Sequence, residues 1–256
     1  MRRYSACIEW LFAEEAGSFP DRIRRAHAGG LTAVEFWRWT DKDLDAIKAA
    51  LDETGLAVTS LVAEPMIALT DAANRQAWLK GLAESAAVAR RLGAPVLIAQ
   101  AGDDLPGFTQ QAQRQALTET LKAGADILEG SGVRLGVEPL NTRIDHIGYF
   151  LASTREGLDI VDDVTRPEIG IVYDIYHSAV MDERTEEVLN GRLDRVFHVH
   201  VADHPGRNEP GSGGIDLAHR LNWIFANGYD GAVGLEYRPT RSGADAVKAA
   251  IASLGG

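Results

Sequence analysis

The sequence predicts an α/β fold, a single (β/α)8 TIM barrel in which eight parallel strands alternate with eight helices. Three observations lead to this prediction. Short apolar runs alternate eight times with segments of helical periodicity. The length of 256 residues is ordinary for one barrel of this kind. No shift in composition separates the repeats, so we expect residues 1–256 to form one domain.

The first four strand-helix pairs fill the N-terminal half. Apolar, β-leaning runs predict strands at 4–9, 32–37, 56–64 and 94–100. Helical periodicity predicts helices at 19–29, 41–53, 71–93 and 108–129. Asp41 is placed to cap the second helix. Gly29 and Gly55 are placed to end the first two, because glycine readily adopts the conformation needed at a helix end.

The last four pairs follow the same pattern. Strands are predicted at 133–137, 169–173, 195–201 and 232–235, and helices at 154–163, 183–190, 215–227 and 244–254. Ser153 or Thr154 would cap the fifth helix. Gly191 and Gly228 would end the sixth and seventh.

Composition and charge limit the classes of partner. The formal net charge of −11 argues against nucleic acid, because binding a phosphate backbone requires a cationic face. No run approaches the ~20 apolar residues of a membrane span, so no membrane partner is expected. Cys7 is the single cysteine, which excludes an intrachain disulfide and favours a reducing, cytoplasmic location.

Four residues able to bind a metal ion lie at the ends of the last four predicted strands. Glu138 follows GVRLGV, Asp174 ends IGIVYD, His200 is near the end of RVFHVHV, and Glu236 follows AVGL. They are 36, 26 and 36 residues apart, close to the ~30 or more residues of one strand-helix-strand unit. Strand ends of a barrel converge on the face that carries active sites, so we expect these side chains to meet.

Three carboxylates and one imidazole suit Mg²⁺ or Mn²⁺, with Co²⁺ as a third candidate. A structural zinc site would more often use thiolates, and Cys7 stands alone. A single carboxylate at a strand end is more often a helix cap or an ion-pair partner than a ligand. Four such residues on four successive strands favour a divalent metal site.

Four segments carry a resemblance to a known family: VEPLNTR, YDIYH, HVHVADHPGRNEPGSGGID and LEYRPT. Together they resemble the hydroxypyruvate isomerase family, within the xylose-isomerase-like barrels that also include ketose 3-epimerases. The likeness spans most of the chain and is sharpest from Val137 onward. It implies that Glu138, Asp174, His200 and Glu236 bind the metal. Some family members have glutamine at the third position, whereas this chain has histidine, as the epimerases do.

The resemblance also implies the chemistry, which is proton transfer next to a carbonyl. Glu138 and Glu236 would carry the proton between neighbouring carbons of a small hydroxy-carbonyl acid or sugar, as in the conversion of hydroxypyruvate to tartronate semialdehyde. The chain enters a helix soon after Val62, where the family usually has a longer loop. Substrate size and the choice between isomerase and 3-epimerase therefore stay open.

Two residues are predicted to contact substrate. His177 stands three residues after Asp174, on a loop above the barrel, and matches the DxxH spacing of the family. The alternative is an exposed loop histidine. Arg207 lies in a glycine-rich loop at the matching family position and could hold a carboxylate by a bidentate contact. The alternative is a plain surface arginine.

Other polar residues near strand ends have structural interpretations. His198 shares a strand face with His200 and is expected to be a hydrogen-bonded core residue beneath the metal. Glu35 and Glu64 also finish strands and are expected to form salt bridges across the barrel mouth; the alternative is contact with substrate or with a water beside the metal site. His146 lies on a loop over the same mouth, and its role is open.

Rival classes make different demands on the sequence. An endonuclease-IV-like nuclease on the same barrel would need more histidine and carboxylate ligands and a basic surface. A catalytically silent barrel would not need a complete ligand set. We expect an enzyme with a small-molecule substrate, and by analogy with this group of barrels a homo-oligomer.

Overall fold

The computed structural model describes residues 2–255 and shows parallel strands that form one sheet surrounded by helices. The strands are β1 Arg3–Cys7, β2 Ala33–Glu35, β3 Ala57–Val58, β4 Ser60–Val62, β5 Val96–Ala99, β6 Arg134–Val137, β7 Ile169–Asp174, β8 Val196–Val201 and β9 Ala232–Leu235. Their order in the sheet is β3-β2-β1-β9-β8-β7-β6-β5-β4, and every pairing is parallel.

The two end strands of this sheet are parts of one stretch of chain, which nearly closes the barrel. β3 pairs with β2 and β4 pairs with β5, and only Thr59 separates them. The Val62 N–H also donates to the Trp37 carbonyl at 3.0 Å, across the gap between β4 and the chain after β2. The predicted strand at 56–64 is therefore the third of eight barrel strands, and the predicted fold class is confirmed.

Helices cover the outside of the barrel. They are α1 Phe19–Ala28, α2 Leu44–Thr54, α3 Arg75–Leu92, α4 Gln110–Leu128, α5 Thr154–Val164, α6 Ile175–Val180, α7 Thr185–Val188, α8 Leu217–Ala226 and α9 Gly243–Ser253. Short 3-10 turns lie at Ala72–Asn74 and Leu193–Arg195. No helix within residues 2–255 has the length and apolar character of a membrane span.

The start of α2 differs from the prediction. Asp43, not Asp41, caps this helix, and its carboxylate accepts hydrogen bonds from the Asp45 and Ala46 N–H groups. The chain before it is held elsewhere, because the N–H and hydroxyl of Thr40 both donate to Glu64. Ser153 caps α5 as predicted.

A helix that the sequence pattern did not predict, α6, begins directly after β7. Asp174 Oδ1 caps it by accepting the N–H groups of Tyr176 and His177 at 2.7 and 3.2 Å. His177 therefore lies in a helix and is buried, which corrects its predicted placement on an open loop. The predicted helix at 183–190 is shorter in the structure, where α7 spans Thr185–Val188.

Apolar side chains from the strands and the inner helix faces form the core. The alanine-rich α3 packs closely, with Ala86 and Ala89 buried. A Cβ at Gly81 of this helix would come within 2.2 Å of the Glu64 carbonyl. The sheet side of α3 therefore requires glycine at this position, and close packing fixes where the end of β4 lies.

Candidate active site

The structure brings together the four residues predicted at the strand ends. Glu138 follows β6, Asp174 ends β7, His200 lies in β8 and Glu236 follows β9. All four side chains are buried, and one possible ligand atom of each lies within 4.8 Å of those of the others. Hydrogen bonds between neighbouring strands fix the positions of the two glutamates. The Glu138 N–H donates to the Ala99 carbonyl at 3.0 Å, and the Glu236 N–H donates to the Val201 carbonyl at 3.2 Å.

The orientation of these groups suits a small divalent cation. His200 Nδ1 lies 3.0 Å from Glu138 Oε1 and 3.7 Å from Glu236 Oε2. Asp174 Oδ2 is buried and has no hydrogen-bond partner among the described residues, although such an oxygen is costly to bury unpaired. Three carboxylates and one imidazole without a thiolate form the donor set expected for Mg²⁺ or Mn²⁺. The residues therefore fit the predicted ion.

Burial and the neighbouring charges raise the pKa of some groups in the cluster and lower that of Glu236. Burial raises the pKa of Glu138 and of Asp174, and the nearby Glu236 raises both further. Burial also disfavours the charge of Glu236, but His200 and Arg207 outweigh it and lower the pKa of that carboxyl. Burial opposes the protonated form of His200, yet Glu236 and Glu35 raise its pKa well above the ordinary value.

Arg207 points into the site and is not a surface arginine. Its side chain is about 10% exposed, and its Nη2 donates to Glu236 Oε2 at 2.7 Å and lies 3.8 Å from Asp174 Oδ2. The guanidinium carbon is 5.0 Å from the Trp10 ring and 5.4 Å from the Tyr176 ring. Arg207 thus provides counter-charge for the carboxylates, and its position within the site agrees with the predicted contact with substrate.

His177 presents a hydrogen-bond donor to the site. Its Nδ1 lies 3.2 Å from the backbone N–H of Asn141 and 2.7 Å from the Asn141 amide nitrogen. A backbone N–H can only donate, so Nδ1 accepts and the neutral ring carries its proton on Nε2. Nε2 is buried and lies 3.6 Å from Asp174 Oδ2. Burial, with the charge of Arg207 next, lowers the pKa of His177 well below its usual value.

Asn141 is a site residue that the sequence analysis missed. Its own Oδ1 accepts the N–H groups of Ile144 and Asp145, so the amide nitrogen faces His177 and Asp145. Asn141 stands three residues after Glu138 in VEPLN, and that proximity was the one available signal. The hydroxyl of Tyr176 completes the cluster by donating to Asp145 at 2.7 Å.

A cavity of about 310 Å³ opens above these residues. Trp10, Trp37 and His146 line it, together with Arg38 and Arg238. Trp37 also contacts the cluster directly, because its indole N–H donates to Glu236 Oε1 at 2.7 Å. Both oxygens of Glu236 are therefore hydrogen-bonded, one to Trp37 and the other to Arg207.

Glu35 and Glu64 differ in placement. Glu64 lies at the barrel mouth as predicted, 3.0 Å from Arg38 Nε. Glu35 instead lies inside the barrel, 3% exposed, where its carboxylate contacts His198 at 2.8 Å and approaches His200 at 3.1 Å. The expected salt bridge of Glu35 across the mouth is wrong, because Glu35 is the last residue of β2 and its side chain points inward. His198 is a hydrogen-bonded interior residue, as expected.

Known proteins are similar to this chain in sequence. A family described as the xylose isomerase-like TIM barrel matches residues 23–255. The chain is 33% identical to a putative hydroxypyruvate isomerase of Mus musculus over 93% of this chain and 90% of that protein. It is 31% identical to hydroxypyruvate isomerase of Escherichia coli K12, with 93% and 94% covered, and 29% identical to 2-oxo-tetronate isomerase of Cupriavidus necator, with 96% of each covered.

Solved structures show the same architecture. A Brucella melitensis protein titled AP endonuclease, family 2, superposes with a TM-score of 0.88 at 28% identity, covering 96% of this chain and 97% of that one. The apo form of 3-keto-D-glucoside 4-epimerase from E. coli gives a TM-score of 0.86 at 21% identity, covering 100% and 99%. The chain belongs to the hydroxypyruvate isomerase family of the xylose isomerase-like TIM barrels and is an enzyme of the isomerase class.

Proposed function

We propose that this enzyme is a metal-dependent isomerase of a small hydroxy-carbonyl acid, with the conversion of hydroxypyruvate to tartronate semialdehyde as its reaction. The observation that carries the proposal is the meeting of Glu138, Asp174, His200 and Glu236 in one buried cluster, whose two glutamates line a cavity. The names of the relatives support the substrate class. The net charge of −11 and the small cavity favour a small molecule over a nucleic acid.

Glu138, Asp174, His200 and Glu236 would hold the divalent ion, Mg²⁺ or Mn²⁺, with Co²⁺ as a third candidate. When bound, the ion would polarise the substrate carbonyl and make the neighbouring C–H more acidic. His177 would donate its Nε2–H to a substrate oxygen. Arg207 would balance the charge of Glu236 and contact substrate from the opposite side.

Glu138 and Glu236 are the proposed proton carriers. One glutamate removes a proton from the hydroxyl-bearing terminal carbon and leaves an enediolate. A proton then returns to the neighbouring carbon, which was the carbonyl carbon. The proton of the terminal hydroxyl passes to the former carbonyl oxygen, so the terminal carbon becomes the aldehyde and its neighbour carries the hydroxyl. Trp37 and Arg207 hold the oxygens of Glu236, so its position is set before substrate arrives.

The acid group of the substrate would lie beside Trp10, between Arg207 and Arg238. Both guanidinium carbons are close to that ring, at 5.0 and 5.3 Å. Arg38, the other arginine of the cavity, is paired with Glu64. Arg238 shows no ion pair within the described part of the chain, so its charge is available to an incoming anion.

Proton NMR of the Mn²⁺- or Mg²⁺-treated enzyme in D₂O tests the proposal. With hydroxypyruvate we expect loss of the ketone substrate and appearance of the aldehyde product, and no conversion by Glu138→Gln or Glu236→Gln. Inactivity of the metal-treated wild type on hydroxypyruvate and on 2-oxo-tetronate would contradict the proposed substrate class.

A ketose 3-epimerase is the second candidate. Histidine at position 200, where the epimerases also have histidine, is the observation that favours it. An epimerase would invert one carbon of a ketose and leave the carbonyl in place. Deuterium at C3 of a ketose, with hydroxypyruvate unchanged, would identify that activity.

A further inference from the structure

We propose that Glu35 is a positioning residue for the metal site, acting from inside the barrel by orienting His200 so that Nδ1 faces the cation. This inference rests on the proposed function, since it requires that the site bind a divalent ion. Glu35 is 163 residues from its partner His198 and does not belong to the four-residue cluster.

Three hydrogen bonds fix one oxygen of Glu35. Oε2 accepts from the Ser5 hydroxyl at 2.6 Å, from the Thr59 hydroxyl at 2.9 Å and from His198 Nε2 at 2.8 Å. These donors come from β1, from the residue between β3 and β4, and from β8. The carboxylate is therefore anchored from several directions, and Oε1 is left facing His200.

The free oxygen meets the outer nitrogen of His200. Glu35 Oε1 and His200 Nε2 lie 3.1 Å apart, both buried, and neither has another partner among residues 2–255. An ionised carboxylate can only accept, so in the neutral ring that binds a cation the proton is on Nε2 and the Nδ1 lone pair is available to the ion. Nδ1 is the nitrogen that faces Glu138, at 3.0 Å.

The barrel leaves room for this contact at one position of β9. A Cβ at Gly234 would lie 2.2 Å from Glu35 Oε1 and 2.5 Å from His200 Cδ2. Any side chain there would displace the carboxylate or the ring. The glycine in AVGLE is thus explained by the pairing of Glu35 with His200.

Glu35, His198 and His200 also bring possible ligand atoms within 4.8 Å of one another. A second cation site is a poor account of this group, because Oε2 already accepts three hydrogen bonds and His198 uses Nε2 for one of them. An outer carboxylate that fixes the ring of a metal-binding histidine explains all three contacts.

The test compares cation binding of the wild type and of Glu35→Gln, measured by titration calorimetry with Mn²⁺ alone. Loss of the outer carboxylate is expected to weaken Mn²⁺ binding by about 10- to 100-fold. Glu64→Gln is the matched control, because Glu64 is also a buried glutamate near a strand end but contacts Arg38 and Thr40. It should bind Mn²⁺ like the wild type.

A second variant guards against misfolding of Glu35→Gln. Ser5→Ala combined with Thr59→Val removes two of the donors that anchor Glu35 while its charge remains, and a smaller loss of Mn²⁺ affinity is expected. The visible spectrum of bound Co²⁺ gives a further readout and should change in both variants. Unchanged Mn²⁺ affinity and Co²⁺ spectrum in folded variants would refute the role of Glu35. Failure of the wild type to bind Mn²⁺ would instead refute the metal-dependent function.

Discussion

The two carboxylate oxygens of Asp174 have different environments and different roles. Oδ1 caps α6 through the N–H groups of Tyr176 and His177, and Oδ2 faces the cluster with no hydrogen bond in the described chain. From the sequence alone, a helix cap and a metal ligand are alternative roles for such a residue. At this position the structure is compatible with both.

Two substitutions of Asp174 separate these roles. Asp174→Asn keeps a cap oxygen but removes the negative charge, so we expect near-normal thermal stability and a loss of Mn²⁺ binding. Asp174→Ala also removes the cap, which costs ~1 kcal/mol of unfolding free energy. Denaturant unfolding of the metal-free proteins and calorimetry with Mn²⁺ measure the two effects. Full Mn²⁺ affinity in Asp174→Asn would show that Oδ2 is not a ligand.

Arg238 provides a test of substrate charge at the residue scale. A hydrogen bond to a charged group contributes ~1.5–3 kcal/mol, so Arg238→Gln should raise KM for hydroxypyruvate roughly 10- to 100-fold with a smaller change in kcat. Arg91→Gln is the control, since Arg91 pairs with Asp45 outside the cavity. Initial rates over a range of hydroxypyruvate concentrations measure the effect. An unchanged KM would place the acid group elsewhere.

At the scale of elements, the ends of the strands explain why the ligands could be predicted. A buried strand reads as a short apolar run, so its last residue is known to within a position or two, and parallel strands converge in a barrel. This rule and the family motifs were enough to predict the four candidate ligands, Glu138, Asp174, His200 and Glu236. Helix α6 was not predicted, because its cap residue Asp174 was assigned to the end of the preceding strand.

Contacts between elements that are distant along the chain could not be predicted from the sequence. Trp37 donates to Glu236 across 199 positions of the chain. Glu35 was expected at the mouth because one residue of strand register decides whether a side chain points into the barrel or away from it. The orientation of a short strand such as β2 is set by its neighbours and has too few residues to show a period.

The loop after β8, which carries Arg207, depends on one buried carboxylate. Asp203 accepts the N–H groups of Gly211 and Gly213 through Oδ2 and that of Ile215 through Oδ1, at 2.9 to 3.0 Å. Arg207 itself has a φ of 55°, a conformation that needs support from its surroundings. The position of the guanidinium is therefore a property of the whole loop.

Asp203→Ala should free this loop without touching the cation site. We expect kcat/KM for hydroxypyruvate to fall by about tenfold, which corresponds to a ~1.4 kcal/mol loss in transition-state binding. Mn²⁺ affinity should stay within about twofold of the wild type. That change is well under the ~10-fold loss expected when a residue supporting a metal ligand is removed. Hydrogen exchange should become faster at 204–215, and the exchange of α4 serves as the internal control. Unchanged exchange in that segment would show that other contacts hold Arg207.

At the scale of the whole molecule, the fold must tolerate a buried cluster of like charges. Glu138, Asp174 and Glu236 stand above Glu35 inside a barrel that already carries a net charge of −11. Among residues 2–255, Arg207 is the one arginine buried with them, and protonation of His200 adds further positive charge. Stability, cation binding and pH are therefore linked.

The linkage has a definite sign. Burial lowers the pKa of His200, but Glu236 and Glu35 outweigh burial and raise the pKa in the folded protein well above 6.5. Its protonated form thus stabilises the metal-free fold below the unfolded pKa of about 6.5, and this stabilisation is lost as pH rises toward the folded pKa. Glu138, whose pKa is also raised, acts in the same direction. Glu236, whose pKa is lowered, loses its contribution only at acidic pH.

A divalent cation should therefore stabilise the protein more at pH 8 than at pH 6, because the protonated form of His200, whose proton the cation must displace, is more populated at pH 6. At a cation concentration of 100 times Kd the stabilisation is ~2.7 kcal/mol, which corresponds to a rise in Tm of about 5–10 °C for a chain of this size. Melting curves with Mn²⁺ and with EDTA at both pH values measure the difference, and Asp174→Asn should show little response at either. A shift that is equal at the two pH values, or larger at pH 6, would mean that cation binding releases no protons and that the four ligands lie elsewhere.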